Sequence, residues 1–337
     1  MPAIPAPAAL PRSRRRWAAV AGLLVLSPIS AEYLIGYGES TNRPLELLAG
    51  LLILAPLYGT VAVLIREITR RTGRGWPTIL LLSAAFGVIQ AGLIDQSLFH
   101  HEVDAGDPDW ATEPQHTLIP GLGVDASNLL NYVGGHVIWS FAAPIAVVES
   151  CAARIADRRW LGPAGIGVMV VLWALGAVLV FSDAASDSTA GPAQLSGAAV
   201  VAVALIVAAF TVRPTSGRSS AKAPSWWLGG GVTGVAWCAS QLLPATWVGT
   251  TVNVVAMAVL GWLLLRWSRS PGWGRRHVLA AAGSALVVRA GLSFLVEPLG
   301  GVDGAVKYAV NAAMLAGVAA LLLLAARRLR RGEPSTC

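Results

Sequence analysis

Residues 45–74 read LELLAGLLILAPLYGTVAVLIREITRRTGR, a long apolar run that closes on Arg66, Arg70, Arg71 and Arg74. A helix rises about 1.5 Å per residue, so about 20 apolar residues cross a hydrocarbon core of roughly 30 Å. A run of that length sealed by arginines reads as a membrane helix whose basic end faces the cytoplasm. The same pattern recurs along the chain. Ten spans are read, at about 17–37, 45–65, 77–98, 128–150, 162–182, 193–212, 226–245, 247–265, 277–297 and 305–326. The expected fold is an all-α, polytopic helix bundle over 17–326, with a Pro/Arg-rich tail over 1–16 and a basic tail over 327–337.

Composition excludes the soluble alternative. The 337 residues are 55% hydrophobic and only 13% charged, where soluble chains carry about 25% charge. The net charge of +7 is a matter of topology. Of 25 lysines and arginines, all but Arg43, Arg289 and Lys307 fall before span 1 or after the even-numbered spans. The opposite loops are acidic, with Glu102, Asp104, Asp107, Asp109, Glu113 and Asp125 between spans 3 and 4, and Asp183 and Asp187 after span 5. Both termini are therefore expected in the cytoplasm and the chain in the plasma membrane. Its expected partners are the lipid bilayer, whose anionic headgroups suit the basic clusters, and a lipophilic small molecule. Nucleic acid is not expected, since no basic-aromatic patch lies outside these loops.

Arg14 to Arg16 and the apolar run 17–26 resemble the start of a signal peptide, but the run continues through Tyr33, Leu34 and Ile35 and is expected to stay as span 1. Segments 1–11 and 331–337 read as tails without an amphipathic pattern, and the loop 100–127 as an acidic extracytoplasmic segment. Span 1 carries Pro28 and span 6 has no matching break, so an inverted 5 + 5 repeat is not supported.

Motifs for familiar chemistry are missing. Cys151, Cys238 and Cys337 lack the spacing of a metal or redox site. His100, His101, Glu102 and Asp104 lack a fixed ligand spacing. There is no G-x-S-x-G, H-E-x-x-H or P-loop, nor paired glutamates preceding an arginine within a span. No cofactor and no metal are expected.

The informative residues are polar ones at membrane depth, where an ionisable group costs roughly 2.5–3.5 kcal/mol. Span 1 holds Glu32, span 3 holds Gln90, Asp95 and Gln96, and span 4 holds Asn128, Asn131 and His136. The later spans add Gln241, Asn253, Arg289 and Asn311. At 1.5 Å per residue nearly all fall in the outer half, which suggests a polar pocket opening outward. Each also has a plainer role. Glu32 can pair with Arg289, Asp95 can be solvated at the headgroups, and His136 can be an interhelical hydrogen-bond partner beside Gly134 and Gly135. Glu67, with Arg70 and Arg71 at i+3 and i+4, is expected in an ion-pair network at the cytoplasmic interface, and Glu149 in a similar one with Arg154 nearby.

A carboxylic acid in an apolar setting tends to stay protonated, and aromatic faces stabilise cations. Glu32 and Asp95 are therefore the candidate catalytic acids. Tyr33, Gln90, Asn131, His136, Trp139 and Arg289 are the candidate substrate contacts, with Tyr37, Phe86, Phe99 and Phe141 as further aromatic lining. Such a site suits proton-initiated cyclisation of a neutral prenylated substrate, since no DDxxD-like motif is present for a diphosphate. The segments SAEYLIGYGES (30–40), PLYGTVAVLIREITRRTGRGWP (56–77) and FGVIQAGLIDQSLF (86–99) resemble actinobacterial polytopic membrane proteins, among them integral-membrane terpene cyclases of indole-terpenoid pathways. The resemblance covers about 17–150 and implies a cofactor-free cyclase using Glu32 and Asp95. Those cyclases have seven spans, so it leaves spans 8 to 10 without a role. The alternative expectation is a transporter or exporter of a small lipophilic or cationic molecule, built around the same polar groups.

Overall fold

The computed structural model describes residues 13–37, 41, 43–99, 116–184, 190–212, 220–297 and 304–332. Most of the acidic loop, with His100, His101, Glu102 and Asp104, lies outside these residues, as do 1–12 and 333–337. Within them the chain is an all-α polytopic membrane bundle. Its helices are α1 (Ser13–Pro28), α2 (Pro44–Leu54), α3 (Thr60–Arg71), α4 (Trp76–Ile89), α5 (Ala126–Gly135), α6 (Ala143–Cys151), α7 (Pro163–Ala184), α8 (Pro192–Thr211), α9 (Trp226–Leu242), α10 (Trp247–Ser268), α11 (Arg275–Leu292) and α12 (Ala305–Gly332). A two-residue ribbon, β1 (Leu118–Ile119) with β2 (Val124–Asp125), precedes α5.

Two pairs of these helices are continuous across a wider π turn: α2 runs through Ala55–Gly59 into α3, and α5 through His136–Ala142 into α6. Two further π turns, Ile29–Tyr33 and Gln90–Ile94, extend α1 and α4. The turns are visible as i to i−5 bonds, Leu34 N–H to the Ile29 carbonyl and Asp95 N–H to the Gln90 carbonyl, each 3.0 Å. A proline adjoins three of them, and since a proline removes a helix donor and displaces the turn before it, this explains the fourth. Pro28 stands before the first, Pro56 lies in the second and Pro144 follows the fourth. The third has no proline; there Gly92 lies so close to α8 that a Cβ would sit 2.9 Å from that of Ala198.

Eight helical segments among the described residues are long and apolar enough to cross a membrane. Two of the ten spans read from sequence fall outside that set. The α9 helix has 17 residues. The first span is diluted by Ser27, Pro28, Ser30 and Glu32, and it tolerates them because it is an inner helix with Val20, Leu23, Ser27 and Ser30 buried. The last helix continues through Arg327 to Gly332, with Leu329 buried and Arg328 donating to the Cys151 carbonyl.

The basic ends gather at one end of the bundle. Arg74 at the end of α3 donates to the Phe210 and Val212 carbonyls at the end of α8. Arg275 at the start of α11 donates to the Ala153 carbonyl and pairs with Asp157. Exposed tryptophans mark the same end, Trp17 beside Arg16 and Trp226 and Trp227 at the start of α9, with Trp247 at the other. Aromatic rings of this kind sit at headgroup level. The faces of α7, α8 and α10 that carry Val171, Leu175, Val200, Val203 and Val255 are exposed and suit lipid.

Three apolar clusters hold the helices together. One joins α1, α3, α4 and α7 around Leu23, Phe86, Phe141 and Trp160. A second joins α6, α9, α11 and α12 around Trp139, Trp237 and Leu286. A smaller one joins α4, α5 and α8 around Ala91, Phe99 and Ala198. Close approach uses small residues, as expected where lipid provides no hydrophobic drive between helices. Gly230 and Gly234 of α9 face Ala280 and Ser284 of α11 across the same four-residue spacing.

Gly59 lies against the α1 backbone, where a Cβ would be 2.6 Å from Leu24 Cα. Gly59→Ala is therefore expected to lower stability by about 1–3 kcal/mol through overpacking. Thermal unfolding in detergent checks this, with Gly134→Ala, which meets nothing within 4 Å, as the control.

Asp125 caps α5, accepting from the Ser127 N–H at 2.9 Å, the Asn128 N–H at 3.0 Å and the Thr117 hydroxyl at 2.7 Å. Burial alone raises its pKa, but these bonds overcome it and hold the carboxyl below the usual aspartate range. Such a group stabilises fully above its unfolded pKa of about 3.9. That contribution is lost as the pH falls through the lower folded value. Protection of the first-turn amides of α5, taken as exchange relative to the unfolded-chain rate at each pH, is expected to fall only in that acid window, and Asp125→Ala to remove the dependence at a cost of about 1 kcal/mol.

Candidate functional site

Three of the π turns pack together, the first and second each against the fourth, while the third packs on α7 and α8. Where α1 widens, Ser27 and Ser30 donate to the Ser140 and Trp139 carbonyls of the turn between α5 and α6. This packing fixes Glu32 beside that turn. A π turn rotates the side chains that follow it out of the regular helical pattern, and such turns are frequent at functional sites.

Glu32 is half-buried and accepts a hydrogen bond from the Tyr37 hydroxyl, 2.6 Å from its Oε2. It also interacts with the buried Tyr58 hydroxyl, which comes from the π turn between α2 and α3, and with Asp95 and Arg289. No direct ion pair joins Glu32 to Arg289 among the described residues, which corrects the pairing entertained from sequence. Arg289 instead donates from Nη1 to Gln241 Oε1 at 3.0 Å and lies 4.3 Å from the centre of the Trp139 ring. Its Nε is buried with no hydrogen-bond partner among the described residues.

Asp95 is half-buried and turned partly onto its own chain. Its Oδ1 accepts the Ser97 N–H at 3.0 Å, as in an Asx turn, and its Oδ2 accepts from Gln90 Nε2 at 3.1 Å. The next residue, Gln96, is buried with φ +56°, a left-handed conformation that glycine favours, so the backbone beside the acid is strained. Gln90 is 1% exposed and its Oε1 has no partner among the described residues. An unmet acceptor at that depth costs about 1–3 kcal/mol, which marks a position suited to a bound group.

His136 opens the fourth π turn. Its ring stacks on Tyr58 at 5.5 Å, meets Phe86 and Phe141 at 6.4 Å, and bonds through Nδ1 to Ser140 Oγ at 3.0 Å. Trp139, buried, donates from its indole to the Ala285 carbonyl at 3.3 Å and packs on Trp237.

The structure thus brings Glu32, Asp95, Gln90, His136, Trp139 and Arg289 into one region, with Tyr37, Phe86 and Phe141 beside them. It does not bring in three others. Asn131 is exposed on α5. Tyr33 points to α2, where its hydroxyl donates to the Leu47 carbonyl at 2.7 Å. Phe99 packs with Ala198 in the α4–α8 cluster. Tyr58 was missed by sequence reading. Its only signal is its place between Pro56 and Gly59, two helix-disturbing residues inside an apolar run.

A shallow cleft of about 440 Å³ lies at the basic end, lined by residues that include Lys222, Trp226 and His277. His277 there is satisfied, accepting the Gly274 N–H and donating to the Pro224 carbonyl. The cleft is remote from the acid cluster and shares no residue with it.

At the basic end Glu67 and Glu149 form a network that is buried rather than interfacial. Glu149 accepts from Arg66 Nε at 3.0 Å and from Arg70 Nη2 at 2.6 Å, so its partners are on α3 and not Arg154. Glu67 pairs with Arg66 and Arg71 and accepts the backbone N–H groups of Trp160 and Leu161. Arg66 also donates to the Ile155 and Ala156 carbonyls and lies flat on Trp160, 3.6 Å from its centre. Every charge has a partner, so this network clamps the connection between α6 and α7 onto α3 and has no free ligand position.

Fold and site together define a multi-span helical membrane protein with a polar cluster inside the bundle. The chain belongs to an uncharacterized membrane protein family, whose model matches residues 22–331. No curated protein and no solved structure matches it.

Proposed function

We propose that the chain is an integral membrane enzyme that acts on a lipophilic substrate, with Glu32 as its general acid. The observation that supports this most is the gathering of Glu32, Tyr37, Tyr58, Asp95 and His136 on segments interrupted by π turns. Tyr37 donates to Oε2 of Glu32 and the Tyr58 hydroxyl lies beside the same carboxyl, so two phenols hold the acid in place. The reaction that the resemblance implies is proton-initiated cyclisation of a prenyl chain. In it the Glu32 proton adds to a terminal alkene carbon, and the resulting cation is attacked by a neighbouring double bond or aromatic ring. A proton then returns to the carboxylate. Mass is unchanged, no cofactor is needed, and the rings of Tyr58, Phe86 and Phe141, gathered around His136, supply the π-faces that a cation needs. In this reading the basic ends face the cytoplasm, the membrane is the plasma membrane, and substrate enters from the bilayer.

A second reading, a transporter or exporter, is favoured by the interrupted helices themselves, since broken helices frame many transport sites. One experiment separates the two. Membranes containing the chain are incubated with candidate prenylated aromatics and screened for an isomer of unchanged mass, while cysteines at positions 95 and 136 are probed from both sides. An isomer with one-sided access supports the enzyme. Alternating access without conversion supports the transporter.

A further inference from the structure

The buried charged side chains among the described residues are Arg66, Glu67, Asp125, Glu149 and Lys307. The first four are satisfied. Arg66, Glu67 and Glu149 pair with one another and with Arg70 and Arg71, and Asp125 accepts from Thr117, Ser127 and Asn128. Lys307 is 2% exposed and has no hydrogen bond or ion pair among the described residues. The centre of the Tyr308 ring lies 5.1 Å from its Nζ. An ammonium carries three donors and no acceptor, and burying it is costly unless it is paired. Within a membrane span such a group marks a functional site.

Its place on α12 shows what would pair with it. The helix ends on Arg327, Arg328, Arg330 and Arg331, so Lys307 stands in its first turn, away from the basic end. Asn311, one turn along and 1% exposed, fixes the inward face. It donates to the Ser293 carbonyl at 3.0 Å, and its Oδ1 lies so close to Gly36 that a Cβ there would be 2.8 Å away. Lys307, four residues earlier, shares that face.

The first described backbone bond of α12 runs from the Tyr308 N–H to the Gly304 carbonyl at 3.4 Å. The N–H groups of Ala305, Val306 and Lys307 therefore have no intrahelical carbonyl to bond. Helical side chains lean back toward the N-terminus, so the ammonium and these N–H groups face the same way. Tyr308 stacks on Phe294 and is 47% exposed, which puts the ammonium one ring from the surface.

We propose that the Lys307 ammonium and the first turn of α12 form a binding site for a phosphate group. Helix N-termini take such groups readily, since the dipole and the free N–H groups both favour an anion. The several oxygens of a phosphate can accept from the ammonium and from the N–H groups at once. Its source is a phospholipid headgroup or a free phosphate compound. The site uses none of the groups assigned to the acid chemistry and gives the chain a second ligand.

The test uses the full chain in detergent and reads thermal unfolding with inorganic phosphate, with phosphatidylglycerol, and with diacylglycerol, which has the chains without the phosphate. Sodium chloride keeps the ionic strength constant. At ten times its Kd the effective ligand is expected to raise Tm by about 2 °C, and Lys307→Met and Lys307→Gln to lose that rise. A response to inorganic phosphate assigns a free phosphate compound. A response to phosphatidylglycerol alone assigns a lipid headgroup. In the absence of both, Lys307→Met is expected to melt no lower than the parent, because a buried group without a partner is removed. Equal shifts in parent and variants, a diacylglycerol effect as large as that of phosphatidylglycerol without any response to phosphate, or no shift at all would each overturn the site. So would a lower ligand-free Tm in Lys307→Met, which would show that the chain itself supplies the partner. Glu32→Gln is expected to keep the phosphate response, so this site and the acid chemistry are read separately.

Discussion

Glu149→Leu is expected to lower stability by about 3–5 kcal/mol, the range for removing one partner of a buried ion pair. The reason lies in the charge balance. Arg66, Arg70 and Arg71 share two carboxylates, and the side chains of Arg66 and Glu67 are 0% exposed and that of Glu149 7%. Without Glu149, three arginines face one carboxylate, and Arg66 and Arg70 lose their shared acceptor inside the protein. Arg66→Met is expected to cost less, because two arginines then match two carboxylates and what is lost is the stack on Trp160 and the bonds to the Ile155 and Ala156 carbonyls. The double variant Glu149→Leu with Arg66→Met should be more stable than the sum of the single losses, a coupling expected for residues in one network. Denaturation of the four proteins in the same detergent measures all of this. Additive losses would show that the arginines do not feel one another.

Glu32→Gln is expected to lower the turnover of a prenylated substrate by about 10²–10⁴-fold, the usual contribution of a positioned general acid. Glutamine keeps an oxygen to accept from Tyr37, so insertion and thermal stability should stay near those of the parent. Asp95→Asn is the instructive companion. Asparagine can still accept the Ser97 N–H, and its amide can donate to Gln90 if that side chain turns over and presents the Oε1 that is now unmet. The variant therefore mimics a protonated Asp95 and should fold at least as well as the parent. Its turnover decides whether Asp95 gives or takes a proton or only fixes the backbone at Gln96. Unchanged conversion by both variants would remove acid catalysis from this site.

The span pattern was legible because solvent dictates it. Long apolar runs and one-sided arginines are set by lipid and by headgroup charge, and neither depends on which helix lies beside which. Depth was legible for the same reason, and Glu32, Asp95, His136 and Arg289 do lie in the half away from the basic ends. Facing was not legible. Asn131 and His136 differ by five residues on one helix, yet one is exposed and the other lies among Tyr58, Phe86 and Phe141. Five residues at 3.6 per turn put the two about 140° apart, so the split itself is regular, and what the sequence lacks is which side meets protein. Tyr58 is hidden inside an apolar run with a π turn of its own. The Glu67–Glu149 network read as interfacial because each glutamate was weighed against arginines near it in sequence, whereas Glu149 finds Arg66 and Arg70 on another helix.

Trp139 is tied to both sides of the molecule at once. Its carbonyl is held by Ser30 of the first helix, its indole N–H by Ala285 of α11, and its ring supports Arg289. Any movement of α11 relative to the first helix must therefore stretch or release these contacts. A fluorine placed on its ring would carry a resonance that stays single in a rigid catalyst and splits in a machine that alternates between two shapes.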